Sequence, residues 1–210
     1  MPLVAEILRE PASERWQDRA VESPSSPGDV PELATERLGL VAPALVHLEH
    51  YLEFFTDAEA SASYGGPLTE GQAWARLAAD RGTWALRGFG VWVVTSLDTG
   101  SVFGGCGFWQ GLGWPHELTW WLRPDARGSG VAREASQAAI RHAYEVWGWP
   151  TVQTYMTDDN EPARALALRL GGLPVGRHVL PDGEERTIYV LPRPDGSHPA
   201  AAELGDDRLT

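Results

Sequence analysis

The chain contains no lysine, so all 17 of its basic residues are arginine. A Walker phosphate loop, which needs Gly-Lys-Ser/Thr, is therefore excluded. Cysteine is nearly absent too: Cys106 stands alone. An intrachain disulfide is impossible, and so is a cysteine-built zinc cluster. Positive charge is outweighed by 29 acidic residues, leaving a net charge of -12. That balance argues against a nucleic-acid partner, which usually demands a basic face. It is compatible with an amine-bearing substrate, although acidic surfaces also serve solubility alone. No apolar run reaches the length of a membrane span, and the first residues lack a basic-then-apolar leader. The expectation is a cytoplasmic protein with no membrane association and no metal.

What is present fits one domain with tails. Residues 1–33 are rich in Pro, Ser and Glu and read as a flexible arm. A short helix over Met1 to Arg15 would be stopped by Pro11 and the Ser-Pro-Ser-Ser-Pro run from Ser23. Residues 34–192 read as a single domain, and 193–210 as a disordered tail. Within the domain, Glu36 to Val41 is a strand. Leu45, Leu48, Leu52 and Phe55 then repeat at helical spacing. Thr69-x-x-Gln72 is a capping box for a second helix, with Trp74, Leu77 and Ala78 on one face and Gly82 at its end. Phe89 to Thr95, Ser101 to Trp109 and His116 to Leu122 read as three antiparallel strands. A helix from Val131 to Trp147 carries a stripe of Ala132, Ala135, Ala139, Ala143 and Val146. Thr151 to Met156 is a strand, and Asn160 with Pro162 opens a last helix. Leu173 to Leu180 and Arg186 to Leu191 form a closing hairpin. The class is α/β (α+β), with a mostly antiparallel mixed sheet of about seven strands flanked by about four helices.

The chain is organised around Trp120-Trp121-Leu122-Arg123-Pro124-Asp125-Ala126-Arg127-Gly128-Ser129-Gly130-Val131-Ala132. A strand stops at proline, a loop with two glycines turns, and a helix begins. The helix start aims unpaired N–H groups and its positive dipole end at the loop, which suits a phosphate or pyrophosphate. Arg127 adds a fork of donors beside it. A dinucleotide fingerprint fails, because Gly128-x-Gly130 is followed by Arg133 where glycine or alanine is needed.

Arg127-Gly128-Ser129-Gly130-Val131-Ala132 resembles the coenzyme A pyrophosphate loop of the GCN5-related N-acetyltransferases (GNAT). Three stretches resemble the branch that includes ribosomal-protein N-terminal acetyltransferases: Thr35 to Leu40, Glu117 through Ala135, and Asn160-x-x-Ala163 through Gly172. The resemblance spans roughly residues 33–192. It implies acetyl-CoA as donor. The backbone N–H groups of Gly128, Ser129, Gly130, Val131 and Ala132 would hold the pyrophosphate. The strand end near Trp121, Leu122 and Arg123 would pair with the pantetheine like an extra strand. Asn160 would contact the pantetheine or order a water, or act as a plain helix cap. Homodimerisation is implied by analogy. Two departures stand out: Ala167 occupies the position where many relatives place a tyrosine general acid, and Ala163 stands where the branch often has serine.

Acetyl transfer to an amine needs a base, an oxyanion donor and alignment of both reactants. Glu117 is the candidate general base, with an exposed strand glutamate or an ion pair as the alternative. His116 is the runner-up, on the opposite face of a regular strand. A strand N–H near Trp121 would polarise the thioester. Tyr64 and Asp57 lie where acceptor loops form. Cys106 is expected in the core. The function expected is an acetyl-CoA-dependent N-acetyltransferase acting on a protein N-terminal or small-molecule amine by direct attack. The alternative is a catalytically weak CoA-binding or dimerisation module on the same fold.

Overall fold

The structure is a computed structural model that describes residues 29–199. The helix expected at the start of the chain lies outside the described residues.

Among the described residues, eight strands form two sheets. The first contains β1 (Leu33–Ala34), β2 (Leu38–Val41), β3 (Val91–Ser96), β4 (Val102–Trp109) and β5 (Glu117–Leu122), in chain order. The second contains β6 (Val152–Met156), β7 (Leu173–Val179) and β8 (Glu185–Leu191), in the order β6-β8-β7. Every ladder is antiparallel. Four helices, α1 (Leu48–Phe55), α2 (Glu70–Arg87), α3 (Val131–Glu145) and α4 (Glu161–Arg169), complete the fold. The expected element order is present, preceded by the short β1.

The first sheet is apolar on both faces because helices cover both. One face carries Tyr51, Phe54 and Phe55 of α1, Ala73 and Leu77 of α2, and Trp121 of β5. The other carries Leu38, Trp92, Phe108 and Leu118 against Ala135, Ala139 and Ala143 of α3. Alanines keep α3 close to the sheet, as the small-residue stripe implies. Val146 drops out of that stripe and is 65% exposed, because the helix ends at Glu145. Most tryptophans are structural. Trp84 meets Trp92 at 4.6 Å, Trp92 stacks on Trp147 at 5.9 Å, and Trp147 meets Trp149 at 5.1 Å.

Two helix faces differ from the periodicity reading. In α1 the buried residues are Tyr51, Phe54 and Phe55, while Leu45 lies in a 3-10 turn ahead of the helix. In α2 the buried face is Ala73, Leu77, Asp80 and Trp84. The Thr69 capping box forms as expected, but Gly82 does not end the helix. Burial of Trp84, whose Nε1 donates to Val91 O at 3.1 Å, carries it another turn. Gly88, at φ 72°, supplies the left-handed cap.

Both ends of the described residues are bonded to the rest of the fold. Trp92 Nε1 donates to Pro31 O at 2.6 Å, tying down the end of the N-terminal arm. Beyond β8, Arg193 N–H bonds Ser197 O at 2.7 Å, and His198 Nε2 bonds Gly171 O at 2.9 Å.

Candidate active site

The glycine loop is as tight as its sequence suggests. Pro124–Ala126 form a 3-10 turn, and Ser129 Oγ closes onto Ala126 O at 2.6 Å. Gly128 (φ 76°) and Gly130 (φ 84°) take left-handed conformations that favour glycine. Gly130 is the N-cap of α3, and no side chain caps the first turn of that helix. The first-turn N–H groups therefore face an exposed loop. This geometry is suited to an anion and fits a pyrophosphate. Arg37 braces the loop from outside, donating to Ser129 O at 3.3 Å and to Glu134 at 2.8 Å.

The arginines beside the loop are engaged with protein oxygens. Arg127 donates to Leu122 O at 3.3 Å and to Ala60 O at 3.0 Å, so it braces the strand end and the α1–α2 loop. Arg123 joins His50 Nδ1 at 3.1 Å, Glu53 at 3.6 Å and Asp125 at 3.3 Å.

Strand register decides which backbone groups of β5 can meet a ligand. Arg123 N–H bonds Phe103 O at 2.9 Å, and the ladder continues as Gly104 with Leu122 and Gly105 with Trp121. Hydrogen-bonded pairs alternate along an antiparallel ladder, so the Trp121 N–H is committed to β4. The Trp121 N–H itself therefore does not face the gap. Trp120 and Leu122 turn their N–H and C=O toward the edge facing β6. Their carbonyls have partners there: Tyr64 Oη donates to Trp120 O, and Arg127 to Leu122 O. Of the three strand-end residues expected to pair with a pantetheine, only Leu122 faces that edge. The Trp121 indole is buried against α1, 4.9 Å from Tyr51.

No ladder joins β5 to β6. They touch where both begin. His116 Nε2 meets Thr151 O at 3.1 Å, and Gln153 Nε2 donates to His116 O at 3.2 Å. The His116 ring also packs on Trp149 at 4.7 Å. His116 is thus part of the join between the sheets.

Glu117 sits just past this join, on the gap side of the site. Burial raises its pKa to about 8, against the opposing influences of Tyr155, Arg186 and Arg76. Tyr155 on β6 has its own pKa pushed up by burial and by the Glu117 charge. The two groups face each other closely enough to interact, yet the Tyr155 hydroxyl has no partner of good hydrogen-bond geometry. Arg76 comes from α2 and Arg186 from β8; neither was legible as a site residue in the sequence. Tyr64, expected near the acceptor, is within reach of the Glu117 charge. Asp57 instead caps its own turn, accepting from Ala60 N–H at 2.6 Å. Two surface cavities, of about 490 Å³ beside Tyr144 and Arg193 and about 280 Å³ beside Phe54 and Arg123, include neither Glu117 nor the glycine loop.

Asn160 is the N-cap of α4, accepting from Ala163 N–H at 3.3 Å. Ala167 is fully buried, and Tyr189 of β8 packs in the same cluster. A larger side chain on the helix would collide with that packing. Cys106 is buried in the core beside Ser136 Oγ at 3.6 Å, as expected, and burial pushes its thiol up to about 12.

Residues 37–172 match the family described as Acetyltransferase (GNAT) domain. An acetyltransferase from Agrobacterium tumefaciens superposes with a TM-score of 0.71 at 29% identity, covering 77% of this chain and 94% of its own. A protein from Bordetella pertussis described as a GNAT-family acetyltransferase gives 0.65 at 26%, covering 77% and 99%. RimL, a ribosomal L7/L12 α-N-protein acetyltransferase solved with coenzyme A, shares the fold at 0.63 and 15%, covering 75% and 95%. The loop geometry, the split between β5 and β6 and the family match agree: the chain belongs to the GNAT acetyltransferase family.

Proposed function

We propose that the protein transfers an acetyl group from acetyl-CoA to a primary amine by direct attack in a ternary complex, with Glu117 as general base. The observation that carries this reading is the Glu117 carboxyl at the gap between the two sheets, with a pKa raised to about 8. A base is most effective when its pKa lies near the working pH. The acceptor is either a protein N-terminus or a small-molecule amine, and RimL gives a precedent on this fold for the former.

Acetyl-CoA supplies an activated acyl thioester. The N–H groups of Gly128, Ser129, Gly130, Val131 and Ala132 bind its pyrophosphate, aided by the dipole of α3. The outward N–H groups of Trp120 and Leu122 pair with the pantetheine and polarise the acyl carbonyl. Asn160, which serves α4 as a cap, would contact the pantetheine or order a water beside it. Glu117 takes the proton from the acceptor ammonium and leaves a neutral nitrogen for attack. Thiolate is a tolerable leaving group, so Ala167 in the usual tyrosine position is compatible with turnover.

Thermal unfolding with acetyl-CoA, against ATP and NAD controls, tests donor binding. A ligand at ~100 times its dissociation constant adds about 2.7 kcal/mol. Thiol release is then followed over a panel of amines for the wild type and Glu117→Gln. Retained acetyl-CoA stabilisation with turnover reduced by roughly 10²-fold or more in the variant is expected. Full turnover in Glu117→Gln would remove Glu117 from the mechanism. Absence of any acetyl-CoA stabilisation would remove the donor.

A further inference from the structure

Tyr155 is held firmly on several sides. Only 5% of its surface reaches solvent. Trp114 stacks on its ring at 6.0 Å and 28°. The Arg186 guanidinium lies 5.5 Å from the Trp114 ring on its own side. Asp182 grips that guanidinium at 2.8 and 2.6 Å, and Glu184 at 3.1 Å. Leu180 and Ile188 pack in the same cluster. The phenol is thus fixed by its ring, and its buried Oη lies against the Glu117 carboxyl, close enough to hydrogen-bond it though short of ideal geometry. Buried hydroxyls almost always find a partner, and the Glu117 carboxyl is the group this one faces.

We propose that Tyr155 is a positioning residue for acetyl transfer: its hydroxyl donates to the Glu117 carboxylate, keeping that carboxylate charged and aimed at the acceptor nitrogen. The inference rests on Glu117 being the base. The proton of the ammonium passes to Glu117. The freed nitrogen pair forms the C–N bond as the C–S bond breaks, and that electron pair leaves with the sulfur. Tyr155 keeps its proton throughout, consistent with a pKa raised far above the working range.

Glu117 is faced by Tyr155 from β6, Arg186 from β8 and Arg76 from α2, with Tyr64 nearby on the α1–α2 loop. Tyr155 is faced by Glu117, Arg186 and Asp182. Burial disfavours the Glu117 carboxylate, while Tyr155 and both arginines favour it. Loss of the hydroxyl alone removes one favourable influence and leaves the arginines in place.

The test is a ¹³C-carboxyl NMR titration of the full chain labelled at glutamate Cδ, for the wild type and Tyr155→Phe, with Glu117→Gln identifying the Glu117 signal. Phenylalanine keeps the ring and its stacking on Trp114, so the thermal midpoint should hold or rise. The Glu117 titration midpoint should move up by roughly half to one pH unit in Tyr155→Phe. An unchanged midpoint would overturn the positioning role while leaving the base reading intact. A wild-type midpoint in the ordinary carboxylate range would instead overturn Glu117 as a base poised near neutral pH, and the role of Tyr155 with it. An elevated wild-type midpoint that shifts further in the variant supports both.

Discussion

Arg37 and Glu134, 97 positions apart, are joined at 2.8 Å, and the same arginine reaches Ser129 O at 3.3 Å. The pair ties the lead-in of β2 to the first turn of α3 and to the glycine loop. Thr35 Oγ1 adds a second bond to Glu134 at 2.5 Å. Burial alone would push Glu134 up, but the bonds from Thr35 and Arg37 outweigh it and hold the carboxyl below its usual range. A depressed pKa gives stability that is present at neutral pH and lost as pH falls through the folded-state value. Both side chains keep solvent contact, at 52% and 21%, so the loss in Arg37→Ala should not exceed about 1 kcal/mol. The larger effect should be on the loop, with acetyl-CoA affinity falling roughly three- to tenfold by calorimetry. Unaltered affinity would show that the loop holds its shape without this brace.

Glu117 makes the opposite contribution. Its pKa rises from about 4.3 in an unfolded chain to about 8 in the fold. The folded state therefore holds this proton more tightly, and relative stability falls as pH climbs through that window. Glu117→Gln removes the ionisation. Its thermal midpoint should match the wild type near pH 4, pull ahead progressively as pH climbs from about 4.3 to about 8, and hold a constant lead above that. A lead that is the same at every pH would contradict a buried, titrating carboxyl.

Cys106 should be inert in the folded protein. Its thiol is 1% exposed and pushed up to about 12 by burial. Iodoacetamide at pH 8 should label it only after denaturant is added. Cys106→Ala should keep acetyl transfer, since direct attack needs no enzyme thiol.

Gly104 is required by close approach. A Cβ there would lie 2.0 Å from Trp121 O, a backbone atom that cannot swing aside. Gly104→Ala should force β4 from β5 and cost about 2 kcal/mol or more in chemical denaturation. The same variant should weaken acetyl-CoA binding, because it displaces the strand edge that Leu122 presents. Gly183→Ala is a useful contrast: a left-handed turn residue at φ 85° with no atom within 4 Å of the added Cβ, remote from that edge.

Element order was readable because each element announces itself locally. The Thr69 box, Asn160 with Pro162, and the alanine stripe of α3 all act within a few residues. Helix faces were less readable. Leu48 and Leu52 satisfy helical spacing as well as Tyr51, Phe54 and Phe55 do, and only the position of the sheet decides between them. The end of α2 was missed because Gly82 is merely unfavourable in a helix, by about 1 kcal/mol, and burial of Trp84 outweighs that. In the candidate site, the loop and Glu117 sit in one continuous stretch and were legible together. Tyr155, Arg76 and Arg186 come from three other elements, so no local spacing links them to Glu117. The commitment of Trp121 N–H to Gly105 depends on the β4–β5 register, which alternation along one strand does not specify.

The separation of β5 from β6 divides the eight strands into two independently bonded units. Cooperativity between them passes through side-chain packing, in which Val152 and Leu191 share a core with α3. A ligand that bonds along β5 would turn an outer strand into an inner one. Amide exchange should then slow most at Trp120 and Leu122. Trp121, between them and already bonded to Gly105, should hardly change. Alternate amides along a single strand would thus report whether the site is filled.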